Sequence, residues 1–280
     1  MISKRLLSLA KYVEGENIAD IGTDHGFVPV FLRENTKIKK IIATDISKAS
    51  LEKSIELAKI KNIKDIDFRV GDGIKVLEKD EVDTIIIAGM GGILISKILE
   101  ESSEIAKKVR LILQPMQASE ELRTYLCERG FEIIDEEVIF EDKRYFEIIV
   151  AKYDGKIRKL KKYENLLPLK ALEKNEEEAI NFVKFKIEKN LQIMENLKGT
   201  TKKPLIRYME LKGENNYFKE VINGKSKRNN WVYKKYCTRI YARRLGQFWK
   251  SIIFWSRYPR SHAYTWRYRQ RNRRYNQRKL

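Results

Sequence analysis

Between residues 17 and 153, short apolar runs alternate with segments of helical periodicity, and this alternation restricts the fold more than any other feature of the sequence. The apolar runs fit strands at 18–21, 40–44, 66–70, 82–88 and 109–113, and the helical patterns fit 29–34, 48–61, 92–101 and 119–129. Crossover helices that join parallel strands produce this kind of pattern. The sequence therefore predicts an α/β fold with a doubly wound, mostly parallel sheet.

Two further strand-like runs, 131–140 and 145–153, are separated only by "EDKR". So short a connection permits a hairpin but not a crossover helix, which needs about a dozen residues or more. We therefore predict that the last strand runs antiparallel to its neighbours.

The character of the chain changes after residue 153. The basic connector "DGKIRKLKKY" precedes a helix predicted over about 170–197, and a weaker helical pattern follows "GTTKKP". The first of these helices carries one apolar stripe: Ile180, Val183, Ile187, Leu191, Met194 and Leu197. Two antiparallel helices would cover each other's apolar side chains. We therefore predict an α/β domain over 1–155 and a coiled-coil-like helical pair over 156–223.

The net charge of +19 is concentrated at one end of the chain. Residues 224–280 hold 18 Lys and Arg and no Asp or Glu, which leaves 40 basic against 39 acidic residues before them. All four tryptophans (Trp231, Trp249, Trp255 and Trp266) also lie in this tail. The part of the chain that precedes the tail is therefore close to neutral.

The basic, aromatic tail has two interpretations. Arginine mixed with tryptophan and tyrosine is typical of single-strand nucleic-acid binding. The alternative, which we favour, is out-of-frame translation. Residues 243–249 can be encoded so that the next reading frame gives "EDWDNFG", a string that resembles a stretch of a different protein family. The nucleotide sequence of the gene decides between the two interpretations.

The remaining bulk features set limits on location and metal binding. No run approaches the roughly 18 apolar residues needed to span a bilayer. The first 16 residues resemble an amphipathic helix without the apolar core and cleavage site of a signal peptide. Cys127 and Cys237 match no metal-ligand spacing, and we do not expect them to form a disulfide. We therefore expect a cytoplasmic protein with no membrane partner and no metal.

Candidate ligand-binding residues follow the first two predicted strands, at the edge where doubly wound sheets bind ligands. Asp20, Gly22 and Gly26 form D-x-G-x-x-x-G, in which Gly22 permits a tight turn and Gly26 lets a helix approach a strand. Asp45, followed by Ile46, ends the second strand and is placed to accept hydrogen bonds from ribose hydroxyls. Asp45 has an alternative role as a helix cap.

The third and fourth strands end in glycine-rich turns. Gly71, Asp72 and Gly73 follow the third strand, where Asp72 is placed to accept a hydrogen bond from an adenine amino group; it has an alternative role as a cap of the next helix. "AGMGG", which begins with Ala88 and Gly89, ends the fourth strand. Together the four turns predict a site for an adenosine-containing ligand.

Asp24 discriminates between adenosine-containing ligands. A dinucleotide places its pyrophosphate over the helix N-terminus after the first strand, and a carboxylate there repels a phosphate. S-adenosylmethionine instead carries an α-ammonium and a sulfonium, which Asp20 and Asp24 would attract. Asp24 could also cap the helix near Pro29, and His25 could either hold the turn or contact substrate. The turn favours the methyl donor.

Several ordered motifs together resemble the bacterial tRNA (adenine-22-N1)-methyltransferase family. They are "ADIGTDHGFVP", "ATDIS", "GDG", "AGMGG-LI", "LILQP", "LR-YL-ERGF-I-DE" and "EDKRYFEII", and the resemblance runs from Ser3 to about Ile222. It implies a Rossmann-like class I methyltransferase domain joined to a C-terminal coiled-coil domain. It also implies S-adenosylmethionine as cofactor and N1 of adenosine 22 in tRNA as the methylated atom. The family has no long Arg-Trp tail.

The substrate that this resemblance implies suggests further site residues. Adenine N1 lies on the Watson–Crick edge, so the base has to be unpaired or flipped. Gln114 and the backbone around Gly89 are candidates to contact the base, and Phe27, Tyr145 or Phe146 to stack on it. Tyr145 and Phe146 alternate sides of a strand, so at least one belongs to the core. The candidates for tRNA phosphate contacts are the basic residues of the connector, Lys156, Arg158, Lys159, Lys161 and Lys162. The alternative is that these residues form a solvated linker.

Two other functions remain open from the sequence. One is a methyltransferase that acts on a small molecule or a protein, and the other is a non-catalytic RNA-binding protein with a relic cofactor site. The intact set of Asp20, Asp45 and Asp72 speaks against the second. Neither the tRNAs selected nor the oligomeric state follows from the sequence.

Overall fold

The computed structural model describes residues 3–197 and 202–225, so the basic tail lies outside the described residues apart from its first two positions. One seven-stranded sheet forms the centre of this part of the chain, in the order β3-β2-β1-β4-β5-β7-β6. The strands are β1 (Asn17–Ile21), β2 (Lys40–Asp45), β3 (Ile66–Val70), β4 (Thr84–Gly91), β5 (Arg110–Gln117), β6 (Phe131–Glu141) and β7 (Arg144–Tyr153). The first five strands pair in parallel, as the sequence predicts.

Helices cover both faces of the sheet, in the Rossmann-like arrangement that the alternating pattern predicts. They are α1 (Lys4–Lys11), α2 (Phe27–Asn35), α3 (Lys48–Ile60), α4 (Gly92–Glu101), α5 (Ser103–Ala106) and α6 (Ser119–Glu128). The helical region adds α7 (Leu169–Glu173), α8 (Glu177–Asn196) and α9 (Lys202–Lys225). Pro29 lies in the first turn of α2. A backbone N–H at this position would have no acceptor within the helix, so proline is tolerated there.

The isoleucine-rich strands are apolar on both faces because both faces are covered. Ile85, Ile86 and Ile87 are consecutive and fully buried. Ile85 and Ile87 pack with α4 and α6, and Ile86 packs with α1 and α2 on the other face. Continuous apolar runs of this kind are expected for parallel strands between two helical layers.

The hairpin predicted from "EDKR" is present, and its turn consists of only the two central residues of that segment. Glu141 pairs with Arg144 across Asp142 and Lys143, which both have positive φ (49° and 60°). Two such residues define the turn that suits a twisted hairpin. β7 runs antiparallel, as predicted, but it lies between β5 and β6, so β6 forms the edge of the sheet.

The helical region differs from the prediction in one respect. The single helix expected over 170–197 is wrong, since α7 ends at Glu173 and α8 begins at Glu177. Asn175 between them has φ 58°, a left-handed conformation that interrupts an α-helix. Further along, Asn190 of α8 donates hydrogen bonds to Glu214 and Asn215 of α9, and the two helices form an antiparallel pair.

A buried ion-pair cluster joins the helical region to the sheet. Arg123 of α6 contacts Glu136 of β6 at 2.7 Å and Glu147 of β7, and all three side chains are almost fully buried. Glu136 also accepts a hydrogen bond from the backbone N–H of Lys170, and Arg123 donates to the carbonyl of Asn165. The helical region is therefore bound to the sheet through charged groups as well as apolar ones.

Two expectations about bulk properties concern the described residues. Within 3–197 and 202–225, no helix combines the length and apolar character needed to cross a bilayer. The same residues contain no cluster of three His, Cys, Asp or Glu side chains suited to a metal ion. Cys127 is buried and unpaired, and Cys237 lies outside the described residues.

Candidate active site

Asp20 is a deeply buried acidic side chain near the carboxyl edge of the sheet. It is the fourth residue of β1, and its side chain is only 3% exposed. Burial, together with the negative charge of Asp45, raises its pKa from 3.8 to about 7. Near neutral pH this carboxyl group is therefore poised to lose its proton when a cation approaches.

Asp45 holds the turns after β1 and β2 together. Its Oδ2 accepts a hydrogen bond from the backbone N–H of Asp24 at 3.2 Å, and its Oδ1 accepts one from the N–H of Ser47 at 2.7 Å. The N-cap of α3 is Ser47, whose hydroxyl accepts from Ser50 N–H, so the alternative role of Asp45 as helix cap is wrong. Ile46 beside it is 72% exposed and lies on the surface of this edge.

The alternative role of Asp24 as the cap of α2 is wrong. The N-cap of α2 is Gly26, with φ 72°, and not Asp24. The Asp24 carboxylate is exposed and lies 2.8 Å from Nδ1 of His25. The His25 ring in turn stacks on Phe27, which is 57% exposed. Asp24 therefore contributes its backbone N–H to the fixed part of the site, and its side chain lies at the solvent boundary.

The glycines of the first turn fulfil the roles predicted for them. Gly22 has φ 76°, and its N–H donates to the Thr44 carbonyl, which anchors the turn on β2. A Cβ at Gly26 would lie 2.9 Å from the backbone of Ser54 in α3. Both positions therefore need glycine, one for backbone conformation and the other for close packing as well.

The turn after β3 places its carboxylate on the surface. Gly71 donates its N–H to the Asp45 carbonyl, which brings this turn beside the end of β2. Asp72 precedes the short 3₁₀ turn Gly73–Val76 without capping it through its side chain. Its carboxylate instead forms an ion pair with Lys75 at 2.5 Å. Asp72 is thus exposed at the same edge as Asp45, and its role in binding stays a prediction.

The end of β4 combines an open glycine with a crowded one. Gly89 has φ 81°, and a Cβ there would meet no atom within 4 Å, so this backbone borders open space. Gly92 is closed, since a Cβ would lie 2.0 Å from the carbonyl oxygen of Ala118. Ala88 pairs with Gln114 of β5, and the pairing is irregular beyond that point. The carboxyl ends of β4 and β5 are therefore fixed against each other around the open Gly89.

Gln114 is fully buried at this edge and only partly satisfied. Its Nε2 donates to the Pro115 carbonyl at 3.0 Å, whereas its Oε1 has no hydrogen-bond partner among the described residues. Unsatisfied buried oxygens are costly, and they are expected where a ligand supplies the missing donor.

The aromatic candidates on β7 are placed elsewhere. Phe146 is buried in the core beneath α1, which confirms that one member of the pair belongs to the core. The Tyr145 ring packs against Phe140, Phe182 and Phe185, on the face that contacts the helical region. Of the three stacking candidates, Phe27 is the one that lies beside the candidate site, at the first position of α2, with its ring exposed.

The basic connector begins at the edge of the sheet opposite to the candidate site, because β7 runs antiparallel and ends there. The backbone N–H of Arg158 donates to the carbonyl of Cys127 near the end of α6. Its guanidinium pairs with Asp154 at 2.5 Å, and Lys156 lies 3.8 Å from the same carboxylate. Lys162 lies over the Tyr163 ring. Lys159 and Lys161 are exposed. The proposed tRNA contacts of these five residues stay a prediction.

The donor and acceptor groups at this edge suit S-adenosylmethionine. Asp20 offers a buried carboxyl group whose ionisation an adjacent ammonium would favour, and Asp45 and Asp72 offer carboxylates in neighbouring turns. The N-terminus of α2, over which a dinucleotide would place its pyrophosphate, has the carboxylate of Asp24 just before it. The described residues therefore fit a cationic, phosphate-free adenosine ligand.

Comparison with known proteins agrees with this geometry. The methyltransferase domain family matches residues 2–149. The tRNA (adenine(22)-N(1))-methyltransferase of Bacillus subtilis (strain 168) is 37% identical over 166 residues, which cover 55% of this chain and 69% of the relative. The chain is also similar to the crystal structure of the B. subtilis m1A22 tRNA methyltransferase TrmK. The identity is 29% and the TM-score is 0.69, over 79% of this chain and 99% of that chain.

A second solved structure provides a cofactor complex. A Streptococcus pneumoniae protein in complex with S-adenosyl-L-methionine is 28% identical, with a TM-score of 0.66 over 77% of this chain and 100% of that chain. The fold and the acidic turns thus define this chain as a class I methyltransferase that uses S-adenosylmethionine. More narrowly, the chain belongs to the tRNA (adenine(22)-N(1))-methyltransferase family.

Proposed function

We propose that this protein transfers the methyl group of S-adenosylmethionine to N1 of adenosine 22 in tRNA. The observation that carries this proposal is that the likeness to B. subtilis TrmK covers 99% of that chain, including both the sheet and the helical region. A methyltransferase for small molecules would have no evident need of the helical region, which the ion-pair cluster around Arg123 fixes to the sheet. Because tRNA is the substrate, we also propose that the protein works in the cytoplasm.

The acidic turns would hold and orient the cofactor. Asp20 would face the α-ammonium, Asp45 would accept from the ribose hydroxyls, and Asp72 would accept from the adenine amino group. Gly22, with φ 76°, forms the tight turn that follows Asp20. When bound, S-adenosylmethionine supplies a methyl group on a positively charged sulfur.

The reaction demands positioning more than proton removal. Adenine N1 carries its own lone pair, so no side chain has to take a proton before N1 bonds to the methyl carbon. The task of the protein is to align N1 with the bond that breaks, an effect that can supply much of the rate. Gln114 Oε1, which has no partner among the described residues, would accept from the exocyclic amine, and Gly89 would let the backbone approach the flipped base.

The test is methyl transfer by the full chain. The protein is incubated with labelled S-adenosylmethionine and unmodified bacterial tRNA, and the labelled nucleoside is identified and mapped. We expect N1-methyladenosine at position 22, and no label in a tRNA that carries guanosine there. Label in protein or metabolites would indicate another methyltransferase, and RNA binding without transfer would indicate a relic cofactor site. Either result contradicts the proposal.

A further inference from the structure

The tip of the β6–β7 hairpin lies on the carboxyl side of the sheet, slightly past the end of β5 at Gln117. The last pair between β5 and β7 is Leu113 with Ile149, whereas β7 begins at Arg144. At about 3.4 Å per residue, the turn at Lys143 lies roughly 20 Å past that pair. The hairpin therefore projects on the same side of the sheet as the turns that carry Asp20 and Asp45.

Three exposed basic residues meet at this projection. Lys143 and Arg144 form the tip, and the first turn of α1 brings Lys4 beside them. Contacts with Glu141 hold α1 there, because its carboxylate accepts from the Ser3 hydroxyl at 2.9 Å and from the backbone N–H of Lys4 at 2.7 Å. We call Lys4, Lys143 and Arg144 the hairpin surface.

The positive charges of the hairpin surface are available to a partner. Within 3–197 and 202–225, none of these three side chains forms an ion pair. Glu141 is engaged by α1, and these contacts lower its pKa despite some burial, which leaves Asp142 as the exposed acid at the tip. By contrast, Arg158 and Lys156 of the connector share Asp154.

We propose that the hairpin surface binds tRNA phosphates and so orients the tRNA over the active-site edge; this inference rests on the proposed function. The chain before the tail is nearly neutral, with 40 basic against 39 acidic residues, so RNA binding there depends on local clusters of unpaired charge. The hairpin surface is such a cluster on the side of the cofactor turns. The connector begins at the opposite edge.

The test compares two double variants of the full chain that lose the same net charge. One is Lys143→Asn with Arg144→Gln, where Asn tolerates the positive φ of position 143. The control is Lys37→Gln with Lys64→Gln, two exposed lysines that precede β2 and β3 at the opposite edge of the sheet. The dissociation constant for unmodified tRNA is measured at salt concentrations from about 50 to about 300 mM, over which the Debye length falls to roughly half. Methyl transfer to the same tRNA is measured in parallel.

We expect the slope of log affinity against log salt to fall by about 2 in the hairpin variant, about one for each lost phosphate contact. The control variant, Lys37→Gln with Lys64→Gln, should change the slope by less than about half as much. An unchanged slope in the hairpin variant, or equal changes in both variants, overturns the inference. If the unaltered protein methylates tRNA, such a result leaves the proposed function standing; if it does not, the proposed function itself fails.

Discussion

The backbone N–H of Asp24 donates a 3.2 Å hydrogen bond to the carboxylate of Asp45, and this bond ties the turn after β1 to the end of β2. The bond uses the main chain of Asp24 and leaves its side chain exposed beside His25. The Asp20 side chain, by contrast, is buried near the end of β1. Because solvent screens an exposed charge, Asp20 should attract a bound cation more strongly than Asp24 does.

The substitutions Asp20→Asn and Asp24→Asn should separate these two acids. A hydrogen bond to a charged group contributes about 1.5–3 kcal/mol, so we expect Asp20→Asn to weaken S-adenosylmethionine binding by roughly 10- to 100-fold. Asp24→Asn should have a smaller effect, because solvent screens an exposed charge. Calorimetric titration of each variant measures the difference. A larger loss in Asp24→Asn would reverse the assignment.

Cofactor binding should release a proton from Asp20. Its pKa of about 7 means that the ligand-free protein holds this proton at pH 6, whereas the cationic cofactor favours the ionised form. Affinity should therefore rise with pH up to about 7. Calorimetry in buffers of different ionisation enthalpy should detect about one released proton at pH 6. Asp20→Asn should release none, and equal release by both proteins would assign the proton elsewhere.

The same pKa sets the pH dependence of stability without cofactor. Asp20 ionises near 3.8 in the unfolded chain and near 7 in the folded protein, so the folded state binds one more proton between these values. The contribution of Asp20 to the free energy of unfolding is therefore largest below about pH 4 and is lost as the pH rises to 7. Denaturant unfolding at pH 5 and pH 8 should show a smaller decline in Asp20→Asn than in the unaltered protein.

Gly89 and Gly92 should respond differently to alanine. An alanine at Gly92 would place Cβ 2.0 Å from the Ala118 carbonyl oxygen, and backbone has to move to relieve this clash. We expect a loss of about 3 kcal/mol or more. At Gly89 there is room, and only the positive φ is strained, at a cost of about 1–2 kcal/mol. Urea unfolding of both variants gives the comparison, and equal losses would contradict it.

Removal of Arg123 should destabilise the protein more than removal of the whole buried cluster. Arg123→Met leaves Glu136 and Glu147 buried without their partner, which typically costs about 3–5 kcal/mol. Burial already raises the pKa of Glu136. At Glu147, burial is opposed by Arg123, Lys186 and Ser119, which together lower the pKa. Adding Glu136→Gln and Glu147→Gln should restore much of the lost free energy of unfolding. A triple variant less stable than Arg123→Met would show that the carboxylates contribute independently.

Tyr145 should tolerate the loss of its hydroxyl. Its ring packs between Phe140 of β6 and Phe182 and Phe185 of α8, so we assign it to packing between the hairpin and the helical region. Tyr145→Phe keeps the ring, and we expect kcat/KM for tRNA to stay within about twofold, well under the tenfold that 1.4 kcal/mol represents. A tenfold fall in kcat at unchanged thermal stability would restore Tyr145 as a substrate-positioning residue.

Local patterns in the sequence predict the sheet and the position of the acidic turns. Consecutive apolar residues such as Ile85–Ile87 indicate a strand that is buried on both faces, because a strand with one face in solvent would alternate apolar and polar residues. Asp20 and Asp45 follow from this, since they end two such strands. The order of β7 between β5 and β6 does not follow, because pairing between strands distant in the sequence leaves no local period.

Charged residues were harder to interpret from the sequence alone. Arg123, Glu136 and Glu147 lie within the family motifs, yet a single charge in a helix or a strand does not by itself indicate burial. Of the three, Glu147 carries a signal of burial in the sequence, because it interrupts an apolar strand on the face that also carries Tyr145. The break at Asn175 does not follow from the sequence either, because no proline or glycine separates α7 from α8.

The position of β7 has a consequence for synthesis on the ribosome. β6 is made first but pairs with the rest of the sheet only through β7, so its backbone has no partner strand while the chain is shorter than about 153 residues. Until then, Leu111, Ile112 and Leu113 of β5 lie on an open, apolar strand edge of the nascent protein. The emergence of β7 closes that edge and docks β6 in one event, so co-translational completion of the catalytic sheet depends on its final strand.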